Sequence, residues 1–459
     1  MEDRMGKSTR LALFLICMFS IILSSCGSTD SSPSAFGRGN LWTWKSGSNT
    51  VDQTGTYGSI GVTDINNVPG ARLNAISWID VSNNMWLFGG YGYDSTGLGH
   101  LNDLWKFDST NWTWISGSNI VSQHGIYSTP GSNVPGAREL PVSWIDNSGN
   151  LWLFGGYGLD STNTLGYLND LWKFDVIALT WTWVSGSNTV NQTGNYGTKG
   201  VPAASNVPGA RYGAVSWRDS NGNLWFFGGA GYDSTGTFGD LNDLWKFDGT
   251  NWTWVSGSNV VNQHGTYSTP GSNVPGARDS AVSWIDGSGH LWLFGGYGID
   301  SVGTAGDLND LWKFDGSNWT WVSGSNIVNQ SGIYGTQGTP AASNVPGVRW
   351  SAVSWIDGSG YLWLFGGYGL DSVGMAGDLN DLWKFDGSNW TWVSGSNIVN
   401  QSGIYGPIKG LPLASTVPGA RDSAVSWIDS SGRLWLFGGI GYDLNGTSDY
   451  LNDVWRYQP

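Results

Sequence analysis

The feature that most constrains this chain is a sixfold internal repeat that runs through almost its whole length. The string Asn-Asp-Leu-Trp begins at residues 102, 169, 242, 309 and 380 and returns as Asn-Asp-Val-Trp at 452, so one unit is about 70 residues long. Six Gly-Gly doublets and six Trp-Thr-Trp triplets run in phase with it. A single repeat cannot bury its apolar face alone, so neighbouring units must pack against one another.

Each unit divides into four short apolar runs separated by turn residues. In the unit that starts at Arg278, strands are predicted over 278–286, 291–294, 311–314 and 319–323. Asp/Gly/Ser turns join the first run to the second and the third to the fourth, which suits tight hairpins. With 71 Gly, 31 Trp and only 12% charged residues, helical bundles and disorder are excluded.

Four antiparallel strands repeated radially are the blade pattern of a β-propeller. We therefore predict an all-β, six-bladed propeller over residues 40–459. The repeat begins with a lone fourth strand at 41–45 and ends with strands one to three of the last unit at 421–457. The amino-terminal strand is expected to complete the last blade, which closes the ring and covers a sheet edge.

The units resemble those of the Kelch family. A Gly-Gly doublet follows the second strand, and an aromatic residue then precedes a Trp by seven positions, with two residues inserted in the second unit. These pairs are Phe107/Trp114, Phe174/Trp183 (the longer one), Phe247/Trp254, Phe314/Trp321 and Phe385/Trp392. The resemblance implies the same closed propeller over 40–459.

The same superfamily includes galactose oxidase, whose copper site needs a Cys crosslinked to a Tyr together with His ligands. The chain has two Cys and four His, and only Cys26 remains once a leader is removed. That copper chemistry is therefore excluded. Similar Kelch propellers also include sialic-acid epimerases, which use polar residues at the channel mouth. Here Glu139, the only Glu after the leader, and its neighbour Arg138 are the one pair that such a catalytic role could use.

The amino terminus is typical of an exported lipoprotein. Basic residues precede an apolar stretch at 11–23, too short to span a bilayer, and the string Leu-Ser-Ser-Cys-Gly that follows resembles a bacterial lipobox. We predict a signal peptide at 1–25, a lipidated Cys26, and a flexible tether over 26–39. The expected location is the bacterial cell envelope, and Gly27 after the Cys favours the outer membrane.

Binding residues are expected on the face that carries the long connections, those from strand two to three and from strand four to the next blade. A residue that differs between units on this face is a better site candidate than one present in all six. The position after a repeated Arg meets this criterion; its occupants are Leu73, Glu139, Tyr212, Asp279, Trp350 and Asp422. Aromatic rings beside carboxylates suit a carbohydrate, and neutral variation at an exposed edge is the alternative.

Two repeated charges have a structural interpretation. The arginines are Arg72, Arg138, Arg211, Arg278, Arg349 and Arg421. The aspartates of the Asn-Asp-Leu-Trp strings are Asp103, Asp170, Asp243, Asp310, Asp381 and Asp453. Equal numbers of both favour salt bridges within or between blades over a ring of arginines that binds an anion, because an unpaired buried charge is costly.

Cofactors and nucleic acid are not predicted. His124 and His264 are isolated, so no metal site is expected; calcium stays open at the oxygen-rich stretch from Asp300 to Asp307, where turn capping is favoured. The net charge of −14 argues against nucleic acid, and the lipid anchor would be the only membrane contact.

The favoured function is non-catalytic recognition of a glycan, or of an envelope or extracellular protein. A protein partner would use aromatic residues that repeat in the long connections. They are Tyr57, Tyr127, Tyr196, Tyr267, Tyr334 and Tyr405.

Overall fold

The computed structural model describes residues 39–128, 131–268 and 273–459. Every strand pair among them is antiparallel, and no helix of these residues is long and apolar enough to cross a bilayer. Asn40–Pro459 form one compact unit. The predicted signal peptide, Cys26 and all of the predicted tether except Gly39 lie outside the described residues.

Six four-stranded blades account for most of the strands. The innermost strands are Ile76–Ile79, Val142–Ile145, Val215–Arg218, Val282–Ile285, Val353–Ile356 and Val425–Ile428. The second strands are Met85–Phe88, Leu151–Leu159, Leu224–Phe227, Leu291–Ile299, Leu362–Phe365 and Leu434–Phe437. The third strands are Leu104–Phe107, Leu165–Asp175, Leu244–Phe247, Ala305–Phe314, Leu382–Phe385 and Val454–Gln458. The fourth strands are Leu41–Ser46, Trp112–Ser116, Thr180–Ser185, Trp252–Ser256, Trp319–Ser323 and Trp390–Ser394.

The core lies between blades. All four residues at the start of each second strand are buried, because both faces of the sheet are covered by neighbouring blades. In one cluster Phe154 of the second blade meets Phe226 and Trp252 of the third. Repeated Trp side chains fill these layers, and each large ring removes much apolar surface from water. Burial between blades, and not ligand stacking, is the main role of the tryptophans.

The two ends of the chain share one sheet, as predicted. Strand Leu41–Ser46 pairs with Val454–Gln458, and the sheet continues through the second and innermost strands of the last blade. Trp44 lies opposite Trp455, and Trp42 opposite Tyr457. The first strand thus covers the outer edge of the last blade.

A circle of backbone hydrogen bonds joins all six blades at the channel. Each innermost strand is interrupted by a residue in the left-handed region, with φ of 50–65°. Its N–H donates to the carbonyl oxygen of the equivalent residue in the preceding blade at 2.8–3.1 Å. The six residues are Asn74, Leu140, Gly213, Ser280, Ser351 and Ser423. The circle closes between Asn74 and Ser423, which confirms that the blades form a closed ring.

These interruptions correct the prediction of one continuous first strand over 278–286. In chain order, a two-residue strand comes before each interruption and lies on the side of the long-connection face. It pairs with the chain that follows the Gly-Gly doublet. Two-residue strands are Arg72–Leu73, Arg138–Glu139, Arg211–Tyr212, Arg278–Asp279, Arg349–Trp350 and Arg421–Asp422. In the first, third, fifth and sixth blades, two further short strands complete a separate three-stranded sheet. The middle and outer strands of these sheets are Tyr91–Tyr93 and Leu98–His100, Ala230–Tyr232 and Phe238–Asp240, Tyr368–Leu370 and Ala376–Asp378, and Ile440–Tyr442 and Ser448–Tyr450. In the second and fourth blades the partners are continuous with the second and third strands.

The stretch 295–307 is therefore not one long loop, as the sequence suggested. Gly295 and Gly296 have φ of 66° and 95° and form an irregularity between Phe294 and Gly296, after which pairing continues to Ile299. A Cβ on Gly296 would lie 2.5 Å from the carbonyl oxygen of Asp279. The doublet lets two backbones approach closely and extends each blade into a small three-stranded sheet at the channel mouth.

Candidate functional site at the channel mouth

The six repeated arginines are part of the scaffold. Each guanidinium forms a bidentate pair with the Asp of its own blade, with closest N–O distances of 2.6–2.7 Å, and the side chains are 0–1% exposed. Arg278 illustrates the set: it donates to both carboxylate oxygens of Asp310 and to the carbonyls of Gly276 and Gly295. The salt-bridge interpretation holds, and the alternative of an exposed arginine ring is wrong.

The repeated tyrosines belong to the same network, which corrects their proposed role as contact residues for a protein. Tyr267 donates its hydroxyl proton to Asp310 Oδ2 at 2.6 Å, and its ring packs edge-on against Trp321. Trp312 Nε1 donates to the same oxygen. Equivalent bonds occur in every blade. The tyrosine hydroxyls are therefore used to satisfy a buried carboxylate.

The variable residues form three rows around the mouth, one row on each strand of the small sheets. The first row is the predicted one: Leu73, Glu139, Tyr212, Asp279, Trp350 and Asp422. The second row pairs with it and follows the Gly-Gly doublets: Tyr91, Tyr157, Ala230, Tyr297, Tyr368 and Ile440. The third row pairs with the second: His100, Tyr167, Asp240, Asp307, Asp378 and Tyr450.

Sequence reasoning missed the second and third rows, although a signal for both was present. They stand directly after Gly-Gly and directly before Leu-Asn-Asp, and both vary between units as the first row does. Where one blade meets the next, a third-row residue contacts a first-row residue. Tyr167 stacks on Tyr212 with ring centroids 5.6 Å apart, for example. The rows therefore act as one surface.

A cavity of about 400 Å³ opens in this surface, lined mainly by the third, fourth and fifth blades and also by Asn74, Leu140 and Ser423 of the other three. Its aromatic walls and carboxyl groups are Tyr212, Asp279, Tyr297, Asp307, Trp350 and Tyr368. Trp350 and Tyr368 lie side by side, with ring centroids 5.3 Å apart and planes tilted by 35°. Three predicted residues, Tyr212, Asp279 and Trp350, come together here. Leu73, Glu139 and Asp422 lie elsewhere on the mouth.

Paired carboxyl groups flank the cavity. Asp240 shares a side-chain hydrogen bond with Asp279 of the next blade, and Asp378 does so with Asp422. Burial raises the pKa of Asp240 to about 7, and the neighbouring Asp279 carboxylate contributes to the rise. Burial and Asp422 likewise raise the pKa of Asp378 to about 8. Burial also raises the pKa of Asp307. Each pair retains a proton near neutral pH, as closely spaced carboxylates do.

Known proteins share this architecture. The family model for the KLHDC2/KLHL20/DRC7 Kelch-repeats domain matches residues 41–198. Kelch domain-containing protein 3 of Bos taurus is 26% identical over 258 residues, which are 53% of this chain and 52% of that protein. The chain thus spans about half the length of this curated relative. A solved structure titled "Structure of YjhT" has a TM-score of 0.50 at 16% identity and covers 84% of this chain and 95% of that one. The chain is a six-bladed β-propeller, and its repeats are similar to those of Kelch-repeat proteins.

Glu139 and Arg138 do not form a joint site in this propeller. Neighbouring residues on a strand point to opposite faces, so Arg138 is buried against Asp170 while Glu139 faces the mouth. Glu139 accepts a hydrogen bond from Asn74 Nδ2 at 2.8 Å, and its other oxygen lies 3.3 Å from His100 Nε2. The predicted catalytic pairing is therefore wrong on geometry, and His100 is the neighbour that sequence reasoning missed.

The propeller shows no grouping of three or more His, Cys, Asp or Glu suited to a metal ion among its described residues. His124 and His264 are exposed on separate blades. Asp300 Oδ1 accepts from the N–H groups of Val302 and Thr304, and its Oδ2 accepts from Val328 N–H. The stretch from Asp300 to Asp307 thus uses its first carboxylate for turn capping, the interpretation that the sequence favoured over calcium.

Proposed function

We propose that this Kelch-repeat propeller binds a carbohydrate in the cavity beside Trp350 and does so without chemical conversion. The observation that carries the proposal is the convergence of four aromatic side chains and two carboxyl groups on one opening at the channel mouth. Its volume of about 400 Å³ falls within the usual range for small-ligand sites. The other 30 tryptophans occupy five repeated positions of the blades and do not line this opening.

The chemistry of the walls fits a sugar. Trp350, Tyr368 and Tyr297 offer apolar ring faces to the C–H side of a pyranose, and Tyr297 is 42% exposed. Asp279 and Asp307 offer acceptor oxygens to hydroxyl groups, and they stand on strands held by the buried arginine network. Rigid placement of this kind reduces the entropy lost on binding.

A glycan array comparing the wild type with Trp350→Ala tests the proposal. Loss of one stacking platform should weaken binding of any hit by about tenfold or more, which corresponds to about 1.4 kcal/mol. Leu73→Ala is the matched control because Leu73 occupies the same row of another blade and does not line the cavity. Hits that survive Trp350→Ala unchanged would contradict the proposal.

An array without any hit would instead favour a protein partner. Exposed apolar side chains stand on the connections that flank the cavity: Val302 is 75% exposed and Val373 is 72% exposed on neighbouring blades. Because the hydroxyl groups of the repeated tyrosines are bonded to buried aspartates, these tips are the surface that such a partner would contact.

We further propose that the propeller is exported and lipid-anchored at the bacterial cell envelope through Cys26, with Gly27 favouring the outer membrane. The support is the lipobox-like string after a 13-residue apolar stretch. Replacing Cys26 by Ala should move the protein from the membrane fraction to the soluble fraction of the cells. Cys17→Ala, which lies inside the apolar stretch, should leave the distribution unchanged.

A sugar-processing enzyme is the second candidate. The observation that favours it is the 3.3 Å approach of Glu139 Oε1 to His100 Nε2, because a carboxylate beside an imidazole can move protons. If this candidate holds, turnover of a bound sugar will be measurable by NMR and abolished by Glu139→Gln, while binding persists. Absence of turnover with a bound sugar supports the non-catalytic proposal.

A further inference from the structure

We propose that the bound carbohydrate is cationic: a saccharide with a free, protonated amino group. This inference rests on the proposed function and narrows it to a substrate class. It follows from the separation of charges on the molecule, which leaves carboxyl groups and aromatic faces at the cavity and places the cations elsewhere.

The cavity has no positive side chain to meet an anionic sugar. None of the 17 Lys and Arg residues from Gly39 onwards lines it. The nearest guanidiniums by sequence, Arg211, Arg278 and Arg349, are at most 1% exposed and bound to both oxygens of their own aspartates. Each guanidinium makes four hydrogen bonds to carboxylate and carbonyl oxygens inside the blade. A sugar carboxylate placed here would face Asp279 and Asp307 without a counter-charge.

Most of the other cations contact partners that do not line the cavity. Five lysines and Arg456 lie over tryptophan rings of the second strands at 5.2–5.7 Å. Lys313 also approaches Asp286 in a tight turn at 3.9 Å. Arg218 contacts Asn147 in another tight turn. None of these groups can swing to the mouth without leaving its partner.

The aromatic lining adds attraction for a positive charge. Four rings border the cavity, from Tyr212, Tyr297, Trp350 and Tyr368. An ammonium group within about 6 Å of such ring faces is stabilised by their negative π surface. The carboxyl groups lie in the same opening, so one amino group can contact both a carboxylate and a ring. A neutral sugar would use only part of this lining.

Flanking acidic groups reinforce the preference. Asp240 contacts Asp279 at one side of the cavity, and Asp378 contacts Asp422 beside Ser423, which lines it. A carboxyl pair that shares one proton still carries one negative charge. Together with Asp307 these pairs make the mouth a region of negative potential, which attracts a cation over distance.

The experiment compares three probes of equal or similar length: a glucosamine oligomer, the same oligomer fully N-acetylated, and a sialylated trisaccharide. Binding is measured by titration calorimetry at low and high salt with the wild type, Asp307→Asn and Trp350→Ala. Asp307 is suited to replacement because its backbone N–H, and not its side chain, makes the bond to Asn329. Asp248→Asn removes the same charge from an exposed turn on the opposite face.

The glucosamine oligomer should bind at least tenfold more tightly than its acetylated form at low salt, and added salt should reduce the difference. Asp307→Asn should reduce the preference several-fold, and Asp248→Asn should not change it. Equal or tighter binding of the acetylated or sialylated probe, lost in Trp350→Ala, would overturn this inference and leave the proposed function standing. Failure of all three probes to bind, with binding of a lysine-rich peptide, would overturn both.

Discussion

Asp240 and Asp378 show how single residues at the mouth depart from the sixfold pattern. Each comes from the third row of one blade and meets an Asp of the first row in the next, so four carboxyl groups form two pairs. Burial and the partner carboxylate raise both pKa values, to about 7 for Asp240 and about 8 for Asp378. The folded protein therefore binds more protons here than the unfolded chain does at neutral pH.

Replacement of one aspartate of a pair by asparagine should raise the free energy of unfolding at alkaline pH. The pKa of Asp378 rises from 3.8 to about 8 on folding, so its favourable contribution is complete below pH 3.8 and is lost as the pH rises through 8. Asn cannot ionise and still donates to Asp422. We expect Asp378→Asn to exceed the wild type in free energy of unfolding by roughly 1–2 kcal/mol at about pH 9, with no gain at about pH 4.

Urea unfolding at the two pH values, followed by tryptophan fluorescence, measures this difference. Asp248→Asn, on an exposed turn, is the control. Its free energy of unfolding should differ from that of the wild type by the same amount at both pH values. A gain for Asp378→Asn that is equal at both pH values would show that ionisation of the pair is not its cause.

At the scale of the element, one buried network positions each two-residue strand of the mouth. In the fourth blade Arg278 links the start of its strand to Gly295 of the Gly-Gly doublet and to Asp310 of the third strand. Tyr267 joins Asp310 from the long connection. The next residue, Asp279, can therefore present its carboxyl group to the cavity from a fixed backbone.

Loss of the guanidinium should cost far more than loss of the phenol hydroxyl. Arg278→Met leaves Asp310 buried without its counter-charge and should lower the free energy of unfolding by about 3–5 kcal/mol. Tyr267→Phe removes one of several donors and should cost about 1–2 kcal/mol. Arg218→Met, at the opposite end of the channel, should change stability by less than about 0.5 kcal/mol. Urea unfolding of the three variants tests this order, and equal effects at Arg278 and Arg218 would contradict the network's role.

At the scale of the whole molecule, stability depends on closure by the first strand. Trp42 and Trp44 of this strand are 2% and 9% exposed and pack on Phe365, Tyr405 and Tyr457. Without the strand, the edge of Val454–Gln458 would be open to pairing with other chains.

A truncation series tests closure. A chain that begins at Ser48 should unfold at a markedly lower temperature than one that begins at Gly39, because burial of a large aromatic residue alone is worth about 3–5 kcal/mol. Size-exclusion chromatography should also show association of the shorter chain through the open edge. Equal melting temperatures for both chains would show that the first strand does not hold the ring together.

The repeat by itself determined the number of blades, their four strands and the joining of the two chain ends, because units that cannot bury their apolar faces alone must pack against equivalent neighbours. It also determined the first row of the mouth, since a position whose residue differs between units is not required for the packing of every blade. Alternation along a strand separates Glu139 from Arg138 in principle as well.

Only the tertiary structure decided which variable residues meet. Asp240 contacts Asp279, and Asp307 shares a cavity with Trp350, because a Gly-Gly irregularity extends each sheet and the ring brings adjacent blades together. It also decided that the hydroxyl groups of the repeated tyrosines bond to the buried aspartates and that each arginine pairs within its own blade. Both outcomes depend on contacts between residues 30 or more positions apart, which local patterns do not encode.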